Sequence, residues 1–221
     1  MLSNQRIFMI VGSVALVMLS AVVHEVAHGW VAYRLGDPTA KQAGRLTLNP
    51  LAHLDPVGSV LLPLLMAWIG GPVFAFAKPV PYNPYNLRNP RRDEVLVALA
   101  GPASNLLQAL VGSLAFRLAF ASWSGAADAL YWVLMALQIY VYVNLTLMFF
   151  NLIPLPPLDG SKIVMPLLHG SARQSYYKIQ QYSMPILLVV LYVLPSVLGF
   201  DPLGMYLDAT AGNLATLMMG A

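Results

Sequence analysis

The sequence predicts an all-α polytopic membrane protein with about four transmembrane helices, a re-entrant helix and a short β-hairpin. Two observations carry that prediction. Of the 221 residues, 58% are hydrophobic and only 10% charged, and the mean hydropathy is +0.68, a composition that suits a bilayer better than a soluble core. The apolar residues also gather into runs long enough to cross about 30 Å of hydrocarbon, divided by segments rich in Arg, Lys, Pro and Gly. Residues 1–221 read as a single membrane-embedded domain, with a core over about 7–168 and a C-terminal span and tail over about 183–219.

The first span runs from Ile7 to Tyr33, about 40 Å of helix. No small-residue cleavage site follows a short apolar core, so this segment is expected to remain in the mature protein. It contains Val23-His24-Glu25-Val26-Ala27-His28-Gly29, which holds two of the four histidines of the chain. On a helix His24 and His28 share a face, so both imidazoles can hold one zinc ion while Glu25 reaches a metal-bound water. A lone helical histidine is usually a hydrogen-bonded core residue. Three ionisable groups within five residues of hydrocarbon, at about 3 kcal/mol each on the lenient scales, argue for function instead. His28 lies about 8 Å from the Tyr33 end of the span, near one face of the membrane.

Leu35-Gly36-Asp37-Pro38 stops this helix, and the stretch to Pro56 is polar, with Arg34, Lys41 and Arg45. Next come an apolar run from Val57 to Ile69, a Gly70-Gly71-Pro72 break, and Val73 to Asn83. Arg88, Arg91 and Arg92 follow. Positive residues on both sides place both ends in the cytoplasm, so the run is expected to be re-entrant and to return through the hairpin. Pro79-Val80-Pro81 would leave that hairpin an edge short of donors, either a surface loop held by prolines or an edge that accepts an extended peptide.

The second span is expected from Asp93 to about Ala121, broken after it by Trp123-Ser124-Gly125. The third begins near Asp128 and runs to Phe150. It meets Asn151-Leu152-Ile153-Pro154-Leu155-Pro156-Pro157-Leu158-Asp159-Gly160, whose prolines forbid a regular helix. Unwound backbone at membrane depth is tolerated only where it is buried or lines a wet cavity, so this stretch is expected to face a site. Arg173 and Lys178 mark a further cytoplasmic loop, Ser183 to Gly199 supplies a shorter fourth span, and Leu203 to Met219 is an apolar tail.

Zinc hydrolases of this type use two histidines and a carboxylate, leaving the fourth position to water. Asp37, Asp55, Asp93, Asp128, Asp201 and Asp208 fall at loops or span ends and read as solvated or capping residues. Glu94 starts a helix, where its charge suits the dipole. Asp159 follows the broken end of the third span on the histidine side, where unwound backbone can aim it inward and Gly160 permits close approach. The zinc site is therefore expected between the first span and the broken end of the third, with one Zn2+ per chain. The chain has no cysteine, which excludes disulfides, thiolate catalysis and Cys-ligated metals.

The two motifs together resemble the signature pair of the site-2 protease family of intramembrane zinc metalloproteases, peptidase family M50. The similarity extends to Gly101-Pro102-Ala103-Ser104-Asn105 and covers about residues 7–168. Within the family the chain is similar to small prokaryotic members without PDZ or CBS domains, and its Asp159-Gly160-Ser161 stands where many members have Asp-Gly-Gly. The resemblance implies that His24, His28 and Asp159 bind zinc, that Glu25 is the general base and acid, and that Asn151 holds substrate near the metal. Asn151 could equally cap the broken helix. Asn105 reads as a bond between helices, and His53, in the polar loop, as a loop histidine outside the ligand set.

The function expected is hydrolysis of peptide bonds in or near the transmembrane segments of single-span membrane proteins, in a multi-pass cell-membrane protein whose site lies near the cytoplasmic face. The alternative is a zinc-binding membrane scaffold or carrier that keeps the fold without proteolysis. A carrier would need a continuous polar path with several intramembrane carboxylates, which are scarce here. The net charge of +3 lies mostly in connecting segments, with no basic stripe interleaved with aromatics, so the lipid bilayer is an expected partner and nucleic acid is not.

Overall fold

A computed structural model describes residues 4–55, 61, 78–126 and 129–220. Three long helices dominate it: α1 (Asn4–Arg34), with the short α2 (Thr39–Gln42) after it, α3 (Pro90–Ala121) and α4 (Ala129–Asn151). Within them, 12–34, 90–121 and 129–151 are long and apolar enough to cross a membrane. The protein is a membrane protein built mostly of helix, with no strand among the described residues.

The helices sort their faces by side-chain size. On α3 the face of Ala98, Gly101, Asn105, Ala109 and Gly112 is buried. Small residues at that spacing let neighbouring helices approach closely where hydrocarbon supplies no drive for association. At Gly112 a Cβ would come within 2.9 Å of the Tyr140 ring of α4. The opposite face of α3 carries Leu107, Val111, Leu114 and Leu118, each more than 60% exposed or close to it. In water such a surface would be an aggregation site; in a bilayer it is the side that meets lipid.

One end of the bundle gathers the connecting segments. Gly36, at φ 114°, turns the chain after α1, a conformation that glycine adopts without Cβ strain. Asp37 is fully buried there and accepts from the backbone N–H of Thr39 and Asn83 and from Asn86 Nδ2. Burial opposes its ionisation, but these donors outweigh burial and hold the carboxyl below its ordinary range. The expectation of a solvated or capping residue is corrected here: Asp37 organises a loop. Arg88 N–H donates to Leu35 O, and Arg91 donates to Pro166 O through Nε at 3.0 Å, so the start of α3 is tied to the segments after both α1 and α4.

Several expectations need adjusting. The re-entrant run 57–69 lies outside the described residues except for Leu61, as does the first part of the hairpin. Residues 78–83, the described part of that hairpin, form no strand, because their polar groups bond to side chains and loop carbonyls instead. The expected fourth span is helical to Leu198 but irregular: after α6 (Gly170–Gln181), α7 (Ser183–Leu188) passes through a wider π turn over Val189–Val193 into α8 (Leu194–Leu198). It makes a crossing only if Gly170–Gln181 and Pro185–Leu198, bent by 64°, act as one. The tail has a definite place: Ala211 and Ala215 pack with Ala109, Val141, Leu145 and Met148 in one buried cluster.

Candidate active site

The helix period brings His24 and His28 to one face of α1, and that face looks at α3 and at Asp159, the first residue of α5 (Asp159–Val164). All three side chains are buried. His24 Nε2 and His28 Nε2 are 3.0 Å apart, and each is 3.1 Å from Asp159 Oδ2. Each ring is held from behind through its other nitrogen, His24 Nδ1 on Asn105 Oδ1 and His28 Nδ1 on the Val97 carbonyl. With hydrogen on both Nδ1 atoms, two bare lone pairs and a carboxylate oxygen converge on one point. Three acceptors so close need a cation between them. Tetrahedral zinc bonds of about 2.0–2.1 Å would set such atoms about 3.3 Å apart, so the donor set fits that ion.

Lys162 Nζ lies 3.9 Å from the other carboxylate oxygen of Asp159 and 5.2 Å from the centre of the Tyr82 ring. Tyr82 donates to Glu94 Oε1 at 3.3 Å; burial, then the Glu94 charge, push its hydroxyl above the ordinary range and keep it protonated.

Two glycines make room for this arrangement. A Cβ on Gly101 would press on Nε2 of both histidines and lie 2.6 Å from His24 Cε1. One on Gly160 would meet the carbonyls of Leu152 and Ile153, so the expected close approach of the broken segment to Asp159 is what the chain shows. That segment is tied down by Tyr176, whose hydroxyl donates to Pro154 O at 3.0 Å.

Glu25 is half-buried beside the histidines and accepts at Oε2 from the Val80 N–H at 2.8 Å. Val80 sits between two prolines, so its N–H is the sole donor of residues 79–81. Gly29 leaves the space that its side chain fills, a Cβ there coming within 2.6 Å of Val80 Cγ1. The strap is anchored upstream: Lys78 N–H donates to His53 O and Arg45 Nη2 to Lys78 O. His53 is buried, donates through Nε2 to Thr47 O, and stands outside the ligand cluster, as a loop histidine should.

Of the four residues expected at the centre, His24, His28 and Asp159 are therefore brought together, and Glu25 follows His24 in the chain with its side chain bonded to Val80 N–H. Asn151 is not drawn to the ligands by any hydrogen bond; its Nδ2 donates to Leu147 O at 3.0 Å, the capping alternative left open by the sequence. Sequence reasoning missed Val80, Gly101 and the contact of Asn105 with a ligand. Of these, only Gly101 and Asn105 carried a signal, through the Gly101-to-Asn105 run.

A family model described as Peptidase family M50 matches residues 119–194, a stretch that includes Asp159. YwhC of Bacillus subtilis (strain 168), provisionally named a zinc metalloprotease, is 40% identical over 185 residues, covering 80% of this chain and 78% of YwhC. The chain belongs to peptidase family M50. Two proteins named Rip2, with the same provisional description, are also similar: that of Mycolicibacterium smegmatis is 31% identical, covering 81% of this chain and 65% of its own, and that of Mycobacterium tuberculosis H37Rv is 32% identical, covering 83% and 67%. No solved structure matches. This M50 member is a zinc metalloprotease, with His24, His28 and Asp159 as its candidate metal ligands.

Proposed function

We propose that the protein is an intramembrane protease that cleaves single-span membrane proteins within or beside their transmembrane segments. The observation that carries this reading is the convergence of His24 Nε2, His28 Nε2 and Asp159 Oδ2 inside a bundle of apolar helices, with Glu25 next to them. Those three atoms would hold a zinc ion, which would supply a bound water acidic enough to ionise near neutral pH and a Lewis acid for the scissile carbonyl. Glu25 takes the proton of the attacking water and delivers it to the leaving amine, so one peptide bond and one water become a carboxylic acid and an amine, which then ionise to carboxylate and ammonium.

The site lies at the end of the bundle that carries Arg34, Arg88, Arg91, Arg92 and Lys162. That positive end supports a multi-pass cell-membrane protein with its active site near the cytoplasmic face. A transmembrane helix has its amides bonded internally, so the substrate must unwind before a carbonyl reaches the site. The strap at 78–83 can offer replacement hydrogen bonds to the unwound chain. Asn151 can do the same by exchanging its bond to Leu147 O for one to a substrate carbonyl.

The test is purified Glu25→Gln assayed for zinc and for cleavage of a model single-span substrate. One zinc per chain with no cleavage is expected, whereas an active variant would overturn the role of Glu25. Stoichiometric zinc on a wild type that cleaves no single-span substrate would favour the non-proteolytic scaffold or carrier.

A further inference from the structure

A chain of polar side chains leads away from the site through the middle of the bundle. His24 Nδ1 meets Asn105 Oδ1; Asn105 Nδ2 donates to Asn144 Oδ1 at 2.8 Å; Asn144 Nδ2 donates to Ser20 Oγ and to the backbone carbonyl of Tyr140, both at 2.9 Å. Ser20, Asn105 and Asn144 are fully buried, and the chain joins all three spans. Buried amides in hydrocarbon are costly unless every link is made.

The direction of each link follows from the far end. A backbone carbonyl can only accept, so the Tyr140 oxygen requires Asn144 to present its NH2 group there. Asn144 must then turn its oxygen to Asn105, Asn105 must turn its NH2 to Asn144, and the Asn105 oxygen is left facing His24. An oxygen facing Nδ1 requires hydrogen on Nδ1, which leaves Nε2 bare. Ser20 cannot set this order, because a hydroxyl serves equally as donor or acceptor.

We propose that Asn144 is a positioning residue that fixes the tautomer of His24, holding its Nε2 lone pair ready for zinc before the ion arrives. The inference rests on the reading of His24 as a zinc ligand. It extends the common arrangement in which a ligating histidine is oriented through its second nitrogen by one partner. Here the partner is itself oriented by a residue of another span.

The test pairs a tautomer measurement with a zinc titration. Zinc-free protein labelled with 15N-histidine, in detergent, is examined by long-range 1H–15N correlation, with the His24 signals identified by their loss in His24→Ala. Wild type is expected to show hydrogen on Nδ1. Asn144→Leu is expected to show mixed tautomers and a zinc Kd raised by about 10–100-fold. Ser20→Ala should keep both the tautomer and the affinity, because the Tyr140 carbonyl still sets the order; a purely structural tie between spans would predict no such division. A wild type that binds one zinc yet carries hydrogen on Nε2 when zinc-free would overturn the inference and leave the zinc reading intact. So would a folded Asn144→Leu with unchanged tautomer and affinity. A wild type that takes up no zinc would overturn both together.

Discussion

The backbone N–H of Val80 donates to Glu25 Oε2 across a sequence separation of 55 residues. A charge-assisted bond of this kind is worth about 1.5–3 kcal/mol, and it holds the carboxylate in one rotamer where the side chain alone would sample several. Val80→Pro deletes the donor in a segment already flanked by prolines. The expected result is a fall in kcat of about tenfold or more with zinc content unchanged. Val80→Ala, which keeps the N–H, should lose some packing against Gly29 but retain kcat. Steady-state kinetics on a model substrate decides the matter, and a wild-type kcat in Val80→Pro would sink the idea.

Gly101 faces both histidines, and a methyl there would press on their Nε2 atoms. Alanine is the better helix former by about 1 kcal/mol, so Gly101→Ala should not weaken α3 itself. The variant is expected to fold, to insert, and to lose stoichiometric zinc. Metal analysis beside thermal unfolding tests this, since full zinc occupancy would show that the helices can shift to admit the methyl.

Gly160 meets backbone rather than flexible side chains, with the carbonyl carbon of Leu152 2.6 Å from where a Cβ would stand. Backbone gives way less easily, so Gly160→Ala is expected to displace Asp159 and raise the zinc Kd by about tenfold or more. A chelator competition titration measures it. Unchanged affinity would mean that the broken segment yields at no cost to the ligand.

Asp37 gives a pH dependence with a definite sign. Its carboxyl is held below the ordinary 3.8 in the folded chain. Its contribution is therefore fully present above that ordinary value and is lost as pH falls through the lower folded value. Hydrogen exchange at the Asn83 amide, which donates to Asp37 Oδ2, should stay protected from neutral pH down to the ordinary 3.8 and open only as pH falls through the lower folded value. In Asp37→Ala the same amide should exchange fast at every pH. Protection that persists in the variant would show that the loop is held by other contacts.

The legible parts were those fixed by short-range pattern. The helix period puts His24 and His28 on one face whatever surrounds them, and hydropathy marked the three long spans to within a few residues. The fourth span, expected from Ser183 to Gly199, is helical as far as Leu198, but composition does not record the Val189–Val193 π turn within it or the 64° bend before it. Of the expected hairpin only residues 78–83 are described, and they form no strand. Pro79 and Pro81 remove the donors a ladder needs, and the one donor between them goes to Glu25 rather than to another strand.

By itself the sequence determined the chemistry available: two imidazoles, two carboxylates, no thiol, and enough apolar length to bury them in a bilayer. Which atoms meet was decided only by the tertiary structure, because each decisive contact joins residues far apart in the chain. Asn105 behind His24 and Val80 over Glu25 depend on helix packing and loop path, and both depend on glycines whose value lies in what they leave empty. A missing side chain has no local periodicity to betray it; its role exists only once the neighbouring helix arrives.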